Sequence, residues 1–218
     1  MSKSARRIAL FAIAVLLIGP PLISAQEPKA VQLPPPDMSG GRPLMQALRE
    51  RASSRTFSPE KLPLRVVSNL LWAAFGINRP ESGGRTAPSA SNSQETDIYV
   101  AMSEGLFRYD ARGHQLIPVL PDDIRALTGR QDFVKDAPVN LIYVSDLSRM
   151  TRASVSDRDF YAATHAGFIS QNVYLFCASE GLATVVRASI DRPALARAMR
   201  LRSDQKITLA QTVGYRTK

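Results

Sequence analysis

The sequence has very few of the residues that build disulfides and metal centres. Among its 218 residues there is one cysteine, Cys177, and there are two histidines, His114 and His165. One cysteine excludes an intrachain disulfide and any multi-cysteine metal site. The two histidines lie far apart and do not have a ligand spacing such as HExxH. We therefore expect no protein-bound metal ion and interpret Cys177 as an inert core residue.

Two patterns of nucleotide recognition are also missing. No GxGxxG follows an early strand pattern, which argues against a Rossmann dinucleotide site. The formal net charge is +9, but the basic residues are scattered and are not interleaved with aromatic residues as in a nucleic-acid-binding surface. The basic charge therefore favours small anionic ligands, and nucleic acid is not an expected partner.

The first 25 residues have the pattern of an export signal. A basic beginning with Lys3, Arg6 and Arg7 precedes the apolar run IALFAIAVLLIG, and the segment ends on the small residues of LISA. A membrane anchor is the alternative, but a glycine and two prolines end the apolar run before the roughly 20 residues that a spanning helix needs. We expect an exported, periplasmic protein that is not inserted in the membrane once the signal is removed.

The export route stays open at this point. The adjacent Arg6 and Arg7 fit the twin-arginine pathway, but paired arginines also occur in ordinary secretory signals. Cleavage after residue 25 removes three basic residues and no acidic one, so the formal charge falls from +9 to +6. The mature chain remains basic by either route.

The rest of the chain divides into a linker and one domain. Residues 26–42 hold four prolines and little hydrophobic periodicity, which predicts a flexible, extended tether. Residues 43–218 have the length of a single domain. Within it, residues 76–95 are rich in Gly, Pro, Ser and Asn, which indicates a long loop of the kind that often binds ligands.

Helical and strand patterns alternate irregularly along the domain. Apolar periodicity predicts helices over 43–52, 62–75, 121–128, 157–179 and 191–200. Strand patterns cover 97–102, 105–110, 115–120, 138–146, 183–187 and 206–215. The long helix is expected to be buried, with these residues facing inward: Phe160, Ala163, Phe168, Val173, Phe176 and Cys177. A β-meander followed by helices favours an α+β fold with a sheet covered by helices, and a doubly wound parallel sheet is the alternative.

The segment RASSRTF, residues 51–57, has the composition of a phosphate-binding site. Arg51 and Arg55 can donate forked, charge-assisted hydrogen bonds to an oxyanion, and Ser53 and Ser54 add hydroxyl donors. The alternative is a solvated helix end whose cations complement the helix dipole.

Six segments in order along the chain resemble the nitroreductase family of flavoproteins. They are RASSRTF, LLWAAFGINR, RTAPSASNSQ, LTGRQDFVKDAP, FISQNVYLFCASEGLATVV and ITLAQTVGY. The sequence of these segments is most similar to the short, exported members and to the thiazoline-oxidase-like branch. The resemblance implies a mainly antiparallel sheet, an intertwined homodimer and FMN bound between the subunits. It also implies ping-pong hydride transfer from a reduced nicotinamide, or another donor, to a small flat acceptor such as a nitroaromatic or a quinone.

The resemblance carries the family's RxSxR pattern onto three residues. It implies that Arg51 and Ser53 bind the FMN phosphate and that Arg55 lies near the pyrimidine edge of the flavin. A cation there would stabilise the negative charge that reduction places near N1 and the C2 carbonyl.

The PSxxN pattern of the family falls on Pro88, Ser89, Ala90 and Asn92. The resemblance implies that these residues come from the partner subunit and pack against the ring or its ribityl chain. A mobile surface loop is the alternative interpretation.

Further cofactor contacts are implied nearer the C-terminus. Gln131 matches a side chain at the N3 and O4 edge of the ring, and Val186, Arg187 and Ala188 match the segment that backs N5. The terminal basic residues of the family, which complete the phosphate site, match Arg216 or Lys218.

No side chain is assigned as an obligatory catalytic acid or base, because the cofactor would carry the chemistry. His165 is interpreted as an interior or dimer-contact residue. Two other functions stay open at this point: an FMN-dependent dehydrogenase or oxidase of the thiazoline-oxidase-like type, and a non-enzymatic module that binds flavin or another anion.

Overall fold

The computed structural model describes residues 29–217. The domain contains nine strands and four helices within that range. The helices are α1 (Leu44–Glu50), α2 (Leu64–Phe75), α3 (Arg158–Glu180) and α4 (Arg192–Ala198). None of the helices in this range combines the length and the apolar composition that a membrane-spanning segment requires.

Seven strands form one sheet and the remaining two form a small hairpin. The hairpin pairs β2 (Ile77–Arg79) with β3 (Gly84–Arg85). The sheet has the order β1-β6-β5-β4-β7-β9-β8, and every pairing in it is antiparallel. Its strands are β1 (Val31–Gln32), β4 (Thr96–Met102), β5 (Gly105–Asp110), β6 (Gln115–Leu120), β7 (Val139–Asp146), β8 (Ala183–Arg187) and β9 (Gln205–Gly214). The predicted α+β fold is confirmed, and the doubly wound parallel alternative is wrong.

Side chains alternate between the two faces of the sheet and build a separate core on each. Val100, Leu141 and Tyr143 pack with α2 and α3 on one face. Their strand neighbours Ile142 and Val144 pack with α4 on the other. This period of two is what half-buried strands require, and it explains why both faces are covered by helices.

Helix α3 crosses beneath the sheet and ends at Gly181. Gly181 has a left-handed backbone with φ 73°, and its N–H bonds the carbonyl of Cys177, as expected for a glycine that closes a helix. Cys177 is fully buried, and burial raises the pKa of its thiol. The prediction that Cys177 is an inert core residue is consistent with this placement.

The segment predicted as a flexible tether is partly bound to the sheet. Val31 and Gln32 pair with β6, and Leu33 is only 2% exposed. The side chain of His114 lies 3.1 Å from the carbonyl oxygen of Pro34. Prolines do permit an extended chain, but here the segment around Leu33 is anchored, so the folded domain begins well before residue 43.

The outward face of α3 also differs from expectation. Val173 and Cys177 are buried, but Phe160 is 69% exposed, Phe168 is 43% exposed and Ala163 is exposed. The expectation that these three residues face inward was wrong. All three lie on the part of the helix surface that no other part of the described chain covers.

Smaller differences concern the connecting segments. The predicted loop over 76–95 contains the β2–β3 hairpin and a short 3-10 turn at Ala90–Asn92. The helix predicted over 121–128 is reduced to a 3-10 turn at Arg125–Thr128. The meander β4-β5-β6 is confirmed.

Candidate cofactor-binding site

The residues 51–57, called here the arginine segment, are neither helical nor part of a strand and lie beside the edge strand β8. The N–H of Ser54 donates to the carbonyl of Thr184 in β8 at 2.9 Å. Just beyond the segment, the N–H of Ser58 donates to the carbonyl of Tyr215 at 3.0 Å. These two bonds fix the segment against the ends of β8 and β9.

The cations of the arginine segment have no ionic partners within residues 29–217. Neither Arg51 nor Arg55 forms an ion pair there. The guanidinium of Arg51 lies 5.2 Å from the ring centroid of Tyr174, whereas Arg55 is exposed. Arg216, which follows β9, is exposed as well, and Lys218 lies outside the described residues. This end of the sheet therefore presents uncompensated positive charge.

Tyr174 of α3 joins the arginine segment to β8. Its hydroxyl accepts a hydrogen bond from the N–H of Val186 at 3.0 Å and lies 2.8 Å from Oγ of Ser53. Since the tyrosine oxygen accepts from the amide, its own proton is available to Ser53. In that arrangement the Ser53 hydroxyl keeps its proton to donate to a ligand. No local pattern indicates this role, because Tyr174 occupies one of many buried positions on α3.

Arg187 in β8 is committed to the interior. Its guanidinium donates to the carbonyl of Thr128 at 2.7 Å, to Oδ1 of Asn140 at 3.0 Å and to Oγ1 of Thr212 at 3.2 Å. No carboxylate pairs with it in the described chain, and burial lowers the pKa of Arg187 to about 10. Only its backbone, with those of half-buried Val186 and exposed Ala188, is left to contact a ligand.

The turn that contains Gln131 packs beside the arginine segment and β8. The N–H of Arg130 donates to the carbonyl of Ser189 at 3.1 Å, and the rings of Phe57 and Phe133 lie 5.3 Å apart. A side chain at Gly129 would overlap the guanidinium of Arg187, so glycine is required for this close approach. The structure therefore brings three of the predicted contact segments to one end of the sheet.

Gln131 supplies a test of whether FMN suits this end of the sheet. Its Oε1 is a buried acceptor without a hydrogen-bond partner in the structure. Buried polar atoms are nearly always satisfied, so an orphaned one suggests a ligand that donates to it. The flavin ring has such a donor at N3, and the unpaired arginines suit its phosphate. The residues present fit the cofactor.

The residues 88–94, called here the serine loop, have a constrained backbone. Ser91, Asn92 and Gln94 have left-handed conformations with φ of 52°, 54° and 45°. The N–H of Gln94 donates to Oγ of Ser89 at 3.0 Å, and its side-chain amide donates to Oδ1 of Asn92 at 2.9 Å. Pro88 and Asn92 are exposed, and Ser89 and Ala90 are half-buried. This bonding argues against the alternative of a mobile surface loop.

The serine loop is held from behind by a buried pair of side chains. The N–H of Ala90 donates to Nε2 of His165 at 2.9 Å, and Nδ1 of His165 lies 2.8 Å from Oε1 of Glu95. Glu95 is fully buried and His165 is 3% exposed. A cleft of about 540 Å³ lies beside the loop, and His165, Tyr161 and Arg152 are among its lining residues.

The arginine segment and the serine loop do not meet within one chain. His165 and Tyr174, which contact them, are nine residues apart on α3, or roughly 14 Å along the axis and on opposite sides of it. Their neighbouring strands β4 and β8 are separated by β7 and β9, another span of about 14 Å. One chain therefore presents two halves of the predicted site in different places.

Comparison with known proteins agrees with this architecture. The model of the nitroreductase family matches residues 48–215. The chain belongs to the nitroreductase family. A nitroreductase homologue of Methanocaldococcus jannaschii is 35% identical over 153 residues, which are 65% of this chain and 76% of that protein.

Solved structures of nitroreductase-family proteins resemble the whole domain. The structure of a family protein from Ralstonia eutropha JMP134 is 43% identical, covers 87% of this chain and 90% of its own, and has a TM-score of 0.83. A family protein from Desulfovibrio desulfuricans, solved in complex with FMN, is 23% identical with a TM-score of 0.60. It covers 81% of this chain and 88% of its own, and at that identity it supports the fold alone.

For this nitroreductase-family chain, the site residues predicted from the sequence do not include the buried supports. Arg51 and Ser53 stand in the RASSRTF motif, whereas Gln131 and Val186 were predicted only from the family resemblance. Tyr174, Glu95 and the bonding of His165 were not predicted, because their roles depend on contacts between distant segments. One local signal was available. Glu95 directly follows SNSQ and opens an apolar strand, where an acidic side chain needs a partner.

Proposed function

We propose that the protein is an FMN-dependent oxidoreductase that acts on small, flat acceptors such as nitroaromatics or quinones. The observation that carries the proposal is the end of the sheet at β8. Arg51 and Arg55 lack ionic partners there, Ser53 is oriented by Tyr174, and Gln131 offers a buried, unsatisfied acceptor. Membership of the nitroreductase family supports an oxidoreductase of this kind.

Each residue has a defined task in the proposal. Arg51 and Ser53 would bind the phosphate through charge-assisted hydrogen bonds, with Arg216 as an additional cation. Gln131 would accept from the ring edge, and Arg55 would place positive charge near the pyrimidine side. When bound, FMN would supply the redox chemistry by taking a hydride from one ligand and giving it to the next in a ping-pong scheme.

We propose that the protein works as a homodimer. Two groups of exposed apolar residues support this: Phe160 and Phe168 on α3, and Leu44, Met45 and Leu48 on α1, which packs against α3 and whose three residues are 62%, 75% and 44% exposed. Exposed large apolar side chains grouped in this way favour a protein interface. A second copy would also bring the serine loop of one chain to the arginine segment of the other.

The electron donor and the cellular location are part of the proposal. A reduced nicotinamide is the first donor to test, since family members use it, with a quinol or a protein donor as alternatives for an exported enzyme. Residues 1–25 would direct the chain to the periplasm by the general secretory or the twin-arginine route. Fractionation of cells that express the full chain, with detection of a mature form that begins near Gln26, tests this.

An absorbance spectrum tests the proposed cofactor. Purified protein, as isolated or after incubation with FMN and removal of excess flavin, should show flavin bands and bind one FMN per chain. Protein that stays colourless contradicts the flavoenzyme and favours a non-enzymatic anion-binding module.

Anaerobic reduction then identifies the direction of the chemistry. NADH, NADPH and a quinol are added separately to the yellow protein, and loss of colour followed by recovery with a nitroaromatic or a quinone supports the reductase. Colour that persists with every donor, together with bleaching by an oxidisable thiazoline-containing peptide, would favour the dehydrogenase of the thiazoline-oxidase-like type.

A further inference from the structure

A buried carboxylate and a buried imidazole lie directly behind the serine loop and play no part in the function proposed above. Glu95 follows the loop at the entry to β4, and His165 lies on α3. Their side chains are 0% and 4% exposed and are joined by the 2.8 Å contact between Oε1 and Nδ1. Burying polar groups costs free energy, so such groups are retained where they hold one conformation in place or take part in a reaction.

The hydrogen bonds define which nitrogen of His165 carries the proton. The N–H of Ala90 can only donate, so Nε2 of His165 must accept and is unprotonated. The proton is therefore on Nδ1, which donates to Glu95. Because both ring nitrogens are engaged, His165 is not available as a general base, and its role is to connect Glu95 to the backbone of the loop.

The remaining neighbours of the pair are hydroxyls and aromatic rings. Oγ of Ser93 donates to Oε2 of Glu95 at 2.7 Å, and Oγ1 of Thr96 donates to Oε1 at 3.2 Å. The ring of Tyr161 stacks on His165 with centroids 5.9 Å apart. Arg149 donates to the backbone carbonyl of Glu95 and not to its carboxylate in the described structure. The pair is thus hydrogen-bonded to the loop at two residues, Ala90 and Ser93.

The conformation of the serine loop explains why these hydrogen bonds to the buried pair are needed. Ser91, Asn92 and Gln94 are left-handed without being glycine, and each such residue costs stability that the surroundings must offset. Ser91 and Asn92 are nevertheless exposed. A strained, exposed and strongly bonded loop is typical of a contact surface that is shaped before its ligand arrives.

We propose that Glu95 and His165 are positioning residues that hold Ser89, Ala90 and Asn92 in the shape needed to contact the flavin bound by the partner subunit. This rests on the proposed FMN site and adds that the pair acts across the dimer. His165, which holds the loop, lies roughly 14 Å along α3 from Tyr174 at the arginine segment and on the opposite side of the helix, so the pair is placed away from the site on its own chain.

Substitution of His165 tests the positioning role. His165→Ala removes the acceptor for Ala90 N–H and should weaken FMN binding by about ten-fold, the loss expected for one good hydrogen bond and a loosened loop. His165→Gln keeps an acceptor oxygen at similar reach and should recover much of this loss. FMN affinity is measured by quenching of flavin fluorescence, with thermal unfolding of each apo variant as a separate readout.

The other histidine offers a matched control. His114 also bonds backbone and side-chain groups, but it anchors residues 31–34, called here the N-terminal arm, through contacts with Pro34, Ser68 and Tyr109. His114→Ala should lower the unfolding temperature and leave FMN affinity unchanged. Equal FMN affinities for wild type and His165→Ala would overturn the proposal. If His165→Ala does not fold, Glu95→Leu, which removes the acceptor of Nδ1–H of His165, replaces it with the same measurements, and unchanged affinity there has the same meaning.

Mixed dimers test the action across subunits. Chains carrying Arg51→Ala and Arg55→Ala are coexpressed with differently tagged His165→Ala chains, and the mixed dimer is isolated by both tags. If the pair acts on the partner's site, both defects fall on one site and the other stays intact, so the mixed dimer binds one FMN with wild-type affinity. Two weakened sites and no tight one would contradict it.

The failure of the inference can be told apart from failure of the FMN proposal. If wild-type protein binds no FMN, the proposed function is wrong, whereas tight wild-type binding with an unaffected His165→Ala variant rejects only the positioning role. Hydrogen exchange gives an independent readout of this hydrogen bonding in the apoprotein: the amide of Ala90 should exchange slowly in wild type and His165→Gln and rapidly in His165→Ala. Equal exchange rates in all three proteins would contradict the hydrogen bond between Ala90 and His165.

Discussion

The arginine segment and the serine loop are built in opposite ways, although both carry motifs typical of flavin contact. In the arginine segment the charged groups are left without partners, and a single tyrosine hydroxyl supports Ser53. In the serine loop the N–H groups of Ala90, Asn92, Ser93 and Gln94 are all hydrogen-bonded, and a buried pair holds the loop from behind. One region presents unsatisfied charge, and the other presents a fixed shape.

This difference separates affinity from placement. Uncompensated guanidinium groups gain most of their interaction energy when an anion arrives, so they should dominate how tightly the cofactor binds. A loop that is already ordered loses little conformational entropy on binding and mainly determines where the ring lies. Substitutions confined to one region therefore test affinity and placement separately.

The largest effect is expected from removing both cations of the arginine segment. Arg51→Ala with Arg55→Ala should weaken FMN binding by at least about 100-fold, because hydrogen bonds to charged groups contribute about 1.5–3 kcal/mol each. Fluorescence titration with FMN measures this. Arg49→Ala with Arg112→Ala, two exposed arginines outside the arginine segment, removes the same net charge and is the control; this variant should bind FMN nearly normally. Equal losses in the control and the double variant would mean that charge alone, without position, explains binding.

A third arginine of the same predicted site should behave differently. Arg187→Met leaves the acceptors of Thr128, Asn140 and Thr212 without their donor, so the free energy of unfolding should fall by about 2–3 kcal/mol. Urea denaturation of the apoprotein measures this, and FMN affinity should change less than in the double variant. A stable Arg187→Met protein that has lost FMN binding would show that the guanidinium turns toward the ligand.

A smaller effect is expected where the arginine segment has its one internal support. Tyr174→Phe deletes the hydroxyl between Ser53 and Val186 and should lower stability by about 1 kcal/mol and FMN affinity several-fold. Tyr161→Phe is a matched control, because Tyr161 stacks on His165 on the other side of α3. If Tyr174→Phe changed neither quantity, the hydroxyl would not orient Ser53.

The smallest effect concerns strain in the serine loop. Ser91→Gly relieves the left-handed conformation at φ 52° but gives the unfolded chain more freedom, so stability should change by less than about 1 kcal/mol. Ser91→Val, which cannot easily adopt that conformation, should instead destabilise the loop and weaken FMN binding. Thermal unfolding and titration of both variants measure the difference. Equal behaviour of glycine and valine would mean that the conformation is not required.

Local patterns were sufficient for much of the fold. The bounds of β5, β6 and β8 follow from alternation and turn residues that lie within a few positions of each strand. The arm at Val31 could not be predicted this way, because its partner β6 lies about 80 residues further along the chain. Phe160 was misplaced for a related reason: an apolar residue at helical spacing predicts burial, but whether another element packs against that position depends on the tertiary fold.

The candidate site likewise contains residues that a short motif predicts and residues whose roles depend on distant contacts. Arg51 and Ser53 stand in one short motif whose chemistry can be read directly. His165 is an isolated histidine on an apolar helix, and its importance depends on Glu95, seventy residues earlier. Only the packing of α3 beneath β4 places them together.

A crystal structure of the protein with bound FMN tests the central claim most directly. We expect the phosphate to lie within hydrogen-bonding distance of Arg51 and Ser53, the ring edge to contact Gln131, and the serine loop of the partner subunit to cover the ring. A flavin held by a single chain, or bound away from the arginine segment, would contradict the account.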